Sequence, residues 1–338
     1  MNTIKRTTGV ISAILFAFLG FSGVYLYNAG FKPASYTPSK VKVRIKSGMT
    51  TGQIAELLEN RKVIRSKNAF VVLAKIYGKT GQLKAGVYEL DGSKTLIKIL
   101  KSLLYGNIML RHVTVPEGLT IRQTAEIMAK AGFCDAQPFV DAAKDKKLIE
   151  RFKINGRDAE GYLMPETYLF PQEASAKEIV TMMIATFFKK VEPIRMKYRP
   201  GAILEFKDVI TMASIIEKET GSRQEYKIIA SVFHNRLKKD MRLQADPTVI
   251  YGLPAFDGNL RKKDLRYDSP YNTYRYKGLP PGPIASPGLA AIEAAYNPND
   301  STYLYFVAMN KNGRHYFSRT LKEHNRAVTK YQLRGKRK

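Results

Sequence analysis

The chain has 338 residues, of which 44% are apolar, and it carries a formal net charge of +27. A chain of this length and apolar content can bury at least one sizeable core, which excludes an intrinsically disordered protein and suggests about two domains. The charge favours a polyanionic partner, such as nucleic acid, an anionic lipid surface or an acidic wall polymer. Cys134 is the single cysteine, so an intramolecular disulfide is excluded.

The first predicted element is an uncharged run of 18 residues, Val10–Tyr27. At about 1.5 Å of rise per residue, a helix of this length just crosses a bilayer core of about 30 Å. A cleaved signal peptide is the alternative, but Tyr27-Asn28-Ala29 is a poor cleavage site. We therefore predict a cytoplasmic tail at 1–9 and a transmembrane anchor at 10–28, with the bulk of the chain outside the cytoplasm.

A segment then occurs twice at a constant offset of 70 residues, as Val43–Leu58 and as Val113–Met128. Each copy reads as a short strand, a glycine turn, a threonine helix cap and an amphipathic helix. The first copy resembles a LysM-type glycan-binding module in its order of elements, and a generic strand–turn–helix unit without a ligand is the alternative. We predict a linker at 29–40 and a small LysM-like subdomain at 41–110.

The helix predicted at Phe206–Glu219 contains the most informative residue of the chain. Its apolar residues recur at helical spacing and form one stripe, and Glu217 projects within that stripe. Glu219 is expected on the opposite, solvated side. A carboxylate held against apolar side chains loses hydration, so its pKa rises and it can act as a general acid. A helix-end glutamate paired with a nearby Lys or Arg is the alternative for Glu217.

The rest of the chain alternates helices with a proline-rich segment that starts at Met241 and is expected to be an ordered loop. A strand pair with a turn at 310–313 and a basic tail at 334–338 follow. The predicted elements are helices at 176–190, 225–238 and 321–333, and strands at 303–308 and 314–318. Together they indicate an α+β chain with one N-terminal transmembrane helix, a small LysM-like βα subdomain and a mixed α+β domain at 111–333.

Several kinds of chemistry are disfavoured by the residues present. Gly78-Lys79-Thr80 lacks the glycine of a phosphate loop because Leu73 stands in its place. The four histidines share no metal-ligand spacing, so we predict no metal and no cofactor. No zinc-finger, RNA-recognition or basic-zipper pattern accompanies the basic residues, so nucleic acid is not predicted as a partner. Carboxylates remain, among tyrosines and amides that suit a saccharide.

Five blocks resemble the YceG-like endolytic murein transglycosylases, and the resemblance runs from Val41 to Tyr331. The blocks are EGYLMPETY (Glu160–Tyr168), ASIIEKET (Ala213–Thr220), NRLKKDMRLQADPTVIYGL (Asn235–Leu253), SPYNTYRYKGLPPGPIASPG (Ser269–Gly288) and, after YLYFV, RHYFSRTLKEHN (Arg314–Asn325). The basic tail is a departure, since the family does not require it.

The resemblance implies an enzyme anchored in the bacterial cytoplasmic membrane that cleaves peptidoglycan between N-acetylmuramic acid and N-acetylglucosamine without water. It implies that Glu217 is the catalytic acid and then base, and that 1,6-anhydro ends form. It also implies action on nascent strands that limits glycan length, with penicillin-binding and other wall-synthesis proteins as candidate partners. Eight residues of the matching blocks are predicted to line the cleft: Glu160, Glu166, Asn235, Gln244, Asp246, Tyr271, Asn272 and Tyr274. Of these, Asp246 has a turn cap before Pro247 as its alternative.

Two other functions are weighed against this one. A catalytically silent glycan-binding scaffold of the wall-synthesis machinery is the main alternative, and an apolar-facing carboxylate at Glu217 disfavours it. A membrane-tethered nucleic-acid binder is the other alternative, and it is motivated by charge alone.

Overall fold

The computed structural model describes residues 24, 27–28, 32–46, 48–106, 109–309 and 314–333. Within these ranges the chain is α+β, with twelve α-helices and three two-stranded sheets. The residues form two compact units, the first within Met1–His112 and Leu169–Ala174, the second within Val113–Tyr168 and Ser175–Lys338.

The predicted fold needs one correction, which concerns the transmembrane helix. Across the described ranges, no helix combines the length and the apolar character needed to cross a membrane. The predicted anchor at 10–28 lies outside the described residues, apart from Val24, Tyr27 and Asn28. Its prediction rested on the hydropathy of a run at the lower length limit for a spanning helix, where hydropathy alone does not decide. The tails at 1–9 and 334–338 also lie outside the described residues.

The first unit has the order strand, helix, helix, strand, helix. Its two strands pair antiparallel, with Val43 opposite Tyr88, and their buried side chains join a core that includes Leu58, Phe70 and Leu103. Glycan binding by this unit stays a prediction. Its elements are β1 (Lys40–Ile45), α1 (Thr51–Asn60), α2 (Lys67–Ile76), β2 (Gly86–Asp91) and α3 (Leu96–Tyr105).

The sequence repeat is visible as a repeated local structure. In each copy a glycine at positive φ is followed by a complete capping box, in which a threonine side chain and a glutamine side chain each accept a backbone N–H of the other residue. Both copies use the same positions, namely Gly48 (φ +84°), Thr50 and Gln53, and Gly118 (φ +75°), Thr120 and Gln123. The strand–turn–helix prediction for the two copies is confirmed.

The remaining elements are mostly helices, and the pairs β3–β4 and β5–β6 form the other two sheets. The helix expected at 176–190 is longer than predicted and continues through Pro193. The turn expected at 310–313 lies outside the described residues. In order the elements are β3 (Leu110–Val115), α4 (Ile121–Lys130), α5 (Ala136–Ala143), α6 (Lys146–Arg151), β4 (Glu166–Pro171), α7 (Ala176–Tyr198), α8 (Phe206–Glu219), α9 (Tyr226–Lys238), α10 (Asp246–Gly252), α11 (Leu289–Tyr296), β5 (Tyr305–Ala308), β6 (His315–Ser318) and α12 (Leu321–Val328), which a π-helical turn (Thr329–Leu333) extends.

Helix α8 is the centre of the second unit. Its bounds are those predicted, but all eight residues at 209–216 are buried, so the helix is enclosed on every side rather than along one stripe. The Ser214 hydroxyl donates to Thr211 O at 2.7 Å and accepts from Ile284 N–H at 3.0 Å. The hydrogen bond from Ile284 N–H fixes the proline-rich segment against α8, as expected for an ordered loop.

Candidate active site

Glu217 lies in the last turn of α8 with its carboxyl group half-buried. The Tyr226 hydroxyl, at the start of α9, donates a hydrogen bond to Glu217 Oε1 at 2.7 Å. The backbone N–H of Gly288, just before α11, donates to Oε2 at 2.9 Å. Each oxygen therefore has one donor, one from the next helix and one from a residue 71 positions further along the chain.

The pKa of Glu217 is raised above its ordinary value, chiefly because burial removes hydration from the charged form. The hydrogen bonds from Gly288 and Tyr226 oppose this rise, because they favour the carboxylate. The nearby Glu117 carboxylate raises the pKa further, and the Arg223 guanidinium lowers it. A carboxyl group balanced in this way holds its proton more readily than a solvated glutamate and can also exist as an anion, which is what acid–base chemistry requires.

The carboxyl group of Glu217 opens into a cleft of about 500 Å³. The cleft walls are mainly polar, and they come from α8, from the segment between α8 and α9, and from the turn before α4. The lining residues are Glu117, Glu217, Lys218, Glu219, Thr220, Gly221, Arg223 and Tyr226.

The glycine turn of the second repeat copy forms one wall of this cleft. Lys218 Nζ donates to Gly118 O at 3.1 Å, and Gly118 N–H donates to Ser286 O at 2.8 Å. Within the turn, Glu117 Oε2 is paired with Arg223 Nη2 at 2.6 Å. The cleft therefore contains a second carboxylate, held by an arginine.

Glu219 is not on a solvated side of α8, and this expectation was wrong. Burial raises its pKa to about 8, the Asp246 carboxylate adds to the rise, and the Arg236 guanidinium opposes it. The physical reason is that α8 is buried all round at 209–216, so its apolar residues do not define one solvated side, and Glu219 faces cavities near the end of the helix. Glu219 lines the cleft of Glu217 and also a second cavity of about 400 Å³.

The chain is similar to known proteins. A family model described as the YceG-like family matches residues 43–330 of the chain. The chain belongs to the YceG-like family. It is 36% identical over 327 residues to a protein of Bacillus subtilis (strain 168) named endolytic murein transglycosylase, and the match covers 91% of this chain and 90% of that protein.

Two more proteins are similar to this YceG-like chain. A protein of Streptococcus pneumoniae serotype 2 (strain D39 / NCTC 7466), also named endolytic murein transglycosylase, is 31% identical over 358 residues. That match covers 95% of this chain but 65% of the pneumococcal protein, so the chain spans just under two thirds of it. The crystal structure of a YceG-like protein from Listeria monocytogenes superposes with a TM-score of 0.58 at 36% identity, over 86% of this chain and 99% of the other.

Three of the predicted cleft residues of this YceG-like chain meet in the second cavity, together with Glu219. They are Gln244, Asp246 and Tyr274, and the Tyr274 hydroxyl donates to Asp246 Oδ1 at 2.6 Å. Gln244 has a φ of +51°, which is unusual outside glycine, and its N–H donates to Thr273 O at 3.2 Å. A strained residue in a polar cavity is typical of a functional site.

The two predicted glutamates of the EGYLMPETY block lie elsewhere. Glu160 is buried, and its carboxyl group accepts from Ile121 N–H at 3.1 Å, at the start of α4, and from the Tyr251 hydroxyl at 3.2 Å. Burial raises its pKa to about 8. Glu166, on β4, forms an ion pair with Lys190. Neither residue lines the two cavities described above.

The amides of Asn235 and Asn272 bind backbone rather than face a cavity. Asn235 Nδ2 donates to Ser301 O and Tyr303 O at 2.7 and 3.0 Å, which ties α9 to the approach of β5. Asn272 is buried and donates through Nδ2 to two backbone carbonyls, those of Leu265 and Tyr267, at 3.1 and 2.7 Å. Both side-chain amides therefore donate to backbone carbonyls of the fold.

The ring of Tyr271 packs against the ring of Tyr251, with their centroids 4.8 Å apart. Its hydroxyl lies 3.6 Å from the point where a Cβ on Gly282 would be. Tyr271 therefore supports the proline-rich segment and does not line either cavity.

No residues of this chain suggest a metal centre where the structure describes it. In those ranges, no group of three or more His, Cys, Asp or Glu side chains could hold a metal ion. His315 and Glu225 form a pair of such groups, with His315 Nδ1 2.8 Å from Glu225 Oε2. The absence of a metal and of a cofactor stays a prediction.

Four residues that contact or face Glu217 were missed from the sequence: Glu117, Arg223, Tyr226 and Gly288. One signal for Glu117 exists in the repeat. The second copy has Pro116-Glu117 before its glycine, where the first copy has Lys46-Ser47. An acidic residue before the glycine occurs in the second copy only, and this difference is the one local signal for Glu117. For the other three residues no local signal exists, because their proximity to Glu217 arises from tertiary packing.

Proposed function

We propose that this chain is an endolytic lytic transglycosylase of peptidoglycan, and that Glu217 is its catalytic residue. The observation that carries the proposal is a half-buried carboxyl group with a raised pKa that opens into a polar cleft. Membership of the YceG-like family supports it, as do the relatives named endolytic murein transglycosylase.

The proposed reaction has two steps, and the same carboxyl group serves both. In the first step protonated Glu217 gives its proton to the oxygen that bridges N-acetylmuramic acid and N-acetylglucosamine. The bond from this oxygen to the muramoyl C1 breaks, and the N-acetylglucosamine end leaves as an alcohol. In the second step the Glu217 carboxylate takes the proton of the muramoyl C6 hydroxyl, and the C6 oxygen bonds to C1. A 1,6-anhydro end forms, Glu217 regains its proton, and no water is consumed.

The surroundings of Glu217 suit this alternation. Burial favours the protonated form that starts the reaction, while the donors from Tyr226 and Gly288 stabilise the carboxylate that exists between the two steps. With either influence alone, one of the two steps would become slow. Ordinary glycosidases divide these tasks between two carboxylates.

We propose that the sugars on either side of the cleaved bond lie along both cavities. Glu219 lines both cavities and so connects them. In this proposal Gln244, Asp246 and Tyr274 bind sugar hydroxyl and amide groups, because the three side chains line the second cavity. Peptidoglycan lies outside the bacterial cytoplasm, so we propose that the second unit acts on the extracytoplasmic side, on nascent strands, and limits glycan length.

The test uses the purified full-length chain and purified glycan strands, with products identified by mass spectrometry. Wild type is expected to release internal fragments with anhydro-muramoyl ends, and Glu217→Gln is expected to release fewer by a factor of about a thousand or more. Glu192→Gln, an exposed glutamate of α7, is the matched control and should cleave like wild type. Equal numbers of anhydro ends from Glu217→Gln and wild type would refute the assignment. Strand binding without cleavage by wild type would favour the silent scaffold.

A further inference from the structure

We propose that Glu117 and Arg223 are positioning residues for Glu217, with Glu117 keeping the acid in its proton-bearing form and Arg223 limiting that effect. This inference rests on the transglycosylase function proposed above. The proposed reaction gives no role to the turn that contains Glu117 or to the Glu117–Arg223 ion pair.

The sequence repeat shows that the turn carries more than its folding role requires. Both copies build the same glycine turn and the same capping box, so a glutamate is not needed to form either. The first copy has serine at position 47 and the second has glutamate at 117. The glutamate therefore occurs in the copy whose turn forms a wall of the cleft.

The position of this turn is fixed by three hydrogen bonds that do not involve the Glu117 side chain. Gly118 N–H donates to Ser286 O and Ser286 N–H donates to Leu119 O, both at 2.8 Å. Lys218 Nζ, on the same helix as Glu217, donates to Gly118 O at 3.1 Å. Loss of the Glu117 charge should therefore leave the turn in place.

Gly288 brings the two carboxyl groups together. Its N–H binds Glu217 Oε2 at 2.9 Å, and a Cβ built on Gly288 would lie 2.0 Å from Glu117 Oε1. Both carboxyl groups thus pack against a single backbone residue. Because like charges close together disfavour ionisation, Glu117 favours the protonated form of Glu217, and the guanidinium that pairs with Glu117 at 2.6 Å works in the opposite direction.

The other polar groups facing Glu217 come from three elements. Tyr226, on α9, and Gly288, before α11, are uncharged donors. On α8 itself, Lys218 is bound to the Gly118 carbonyl, and Glu219 has a pKa of about 8, so its carboxyl group is mostly neutral at pH 7. Among the described groups, Glu117, Arg223 and Lys218 are therefore the charges that act on Glu217 at neutral pH.

The experiment measures kcat/KM against pH for the full-length chain on purified glycan strands. Activity falls above the pH at which Glu217 loses its proton, which defines the upper limb of the profile. Glu117→Gln leaves the charge of Arg223 without its partner, so the upper limb should move to lower pH. At pH values above the limb, kcat/KM should fall by about threefold. Arg223→Gln leaves the glutamate uncompensated, so the limb should move up. The double variant should return close to wild type, and Glu117→Asp, which keeps the charge, should keep the wild-type limb.

Opposite shifts for the two partners are what distinguish positioning from a structural ion pair, whose loss would affect both variants alike. Asp257→Asn, which breaks the exposed Asp257–Arg261 pair, is the control and should leave the limb unmoved. Limbs that stay in place, or that move in the same direction in both variants, would overturn the inference while wild-type cleavage still supports the proposed function. A wild type that cleaves at no pH would instead refute the function itself.

Discussion

The backbone N–H of Gly288 donates a hydrogen bond of 2.9 Å to Glu217 Oε2, so the residue before α11 holds the acid at the end of α8. Gly288 also has no space for a side chain, because a Cβ there would meet Glu117 Oε1 at 2.0 Å and Cδ at 2.3 Å. The absence of a side chain at 288 thus lets the Glu117 carboxyl group approach the backbone closely.

Gly288→Ala is expected to push the Glu117 side chain aside while the fold survives, because the far end of a flexible side chain can move. Activity should fall by about tenfold or more, with little change in the melting temperature. Gly201→Ala is the control, since a Cβ there meets nothing within 4 Å. A Gly288→Ala protein with full activity would show that the contact with Glu117 has no influence on the site.

Tyr226→Phe removes the hydroxyl that binds Glu217 Oε1 at 2.7 Å. A hydrogen bond to a charged group contributes about 1.5 kcal/mol, so kcat should fall by about tenfold, because the carboxylate between the two steps loses a donor. The pKa of Glu217 should rise for the same reason, which moves the upper limb of the pH profile to higher pH. Tyr276→Phe removes an exposed hydroxyl bound to Asp268 and should change neither quantity. An unmoved limb in Tyr226→Phe would contradict the assigned role.

Gly161→Ala tests a packing constraint behind the site. Gly161 has a φ of +84°, and a Cβ there would lie 2.4 Å from Pro283 Cβ, part of a rigid ring. Gly278 has a φ of +81° with nothing within 4 Å, so Gly278→Ala reports backbone strain alone, about 1–2 kcal/mol. Gly161→Ala should lower the free energy of unfolding by a further ~1–3 kcal/mol, measured by denaturant titration. Equal losses for the two variants would show that Pro283 yields freely.

The buried Glu160 predicts a pH dependence of stability. Its pKa is raised from 4.5 to about 8 in the folded chain, so between these values the folded state binds a proton that the unfolded state has released. Stability linked to this group is therefore complete below about pH 4.5 and is lost as the pH rises towards 8, by an amount on the order of 5 kcal/mol. Glu219 acts in the same direction.

The measurement is the free energy of unfolding at pH 5 and at pH 8. Glu160→Gln should show a smaller decrease between the two than wild type does. Glu126→Gln, an exposed glutamate on α4, should decrease as wild type does. The same decrease in Glu160→Gln and wild type would mean that Glu160 is ionised in the fold at neutral pH.

Local signals in the sequence predicted the elements well. The bounds of α8 at 206–219 follow from helical spacing, and the turns before α1 and α4 follow from a glycine and a capping box. These signals act within a few residues, so tertiary packing does not overrule them.

The surroundings of Glu217 could be predicted only in part. Periodicity could not place Glu219, because α8 is buried all round at 209–216 and the Glu219 side chain lines two cavities. Glu117 comes within reach of Glu217 through tertiary contacts that no short pattern encodes. Polar residues in matching blocks also divide into two kinds, since Gln244 lines a cavity while Asn272 binds backbone carbonyls.

In the proposed reaction Glu217 cleaves glycan strands without water. The most direct test digests purified strands with the full-length chain in water labelled with heavy oxygen and measures the label at the new muramoyl ends by mass spectrometry. We expect anhydro ends without label in wild type and none of these ends in Glu217→Gln. Labelled reducing ends in wild type would show hydrolysis instead, and would contradict the proposed reaction.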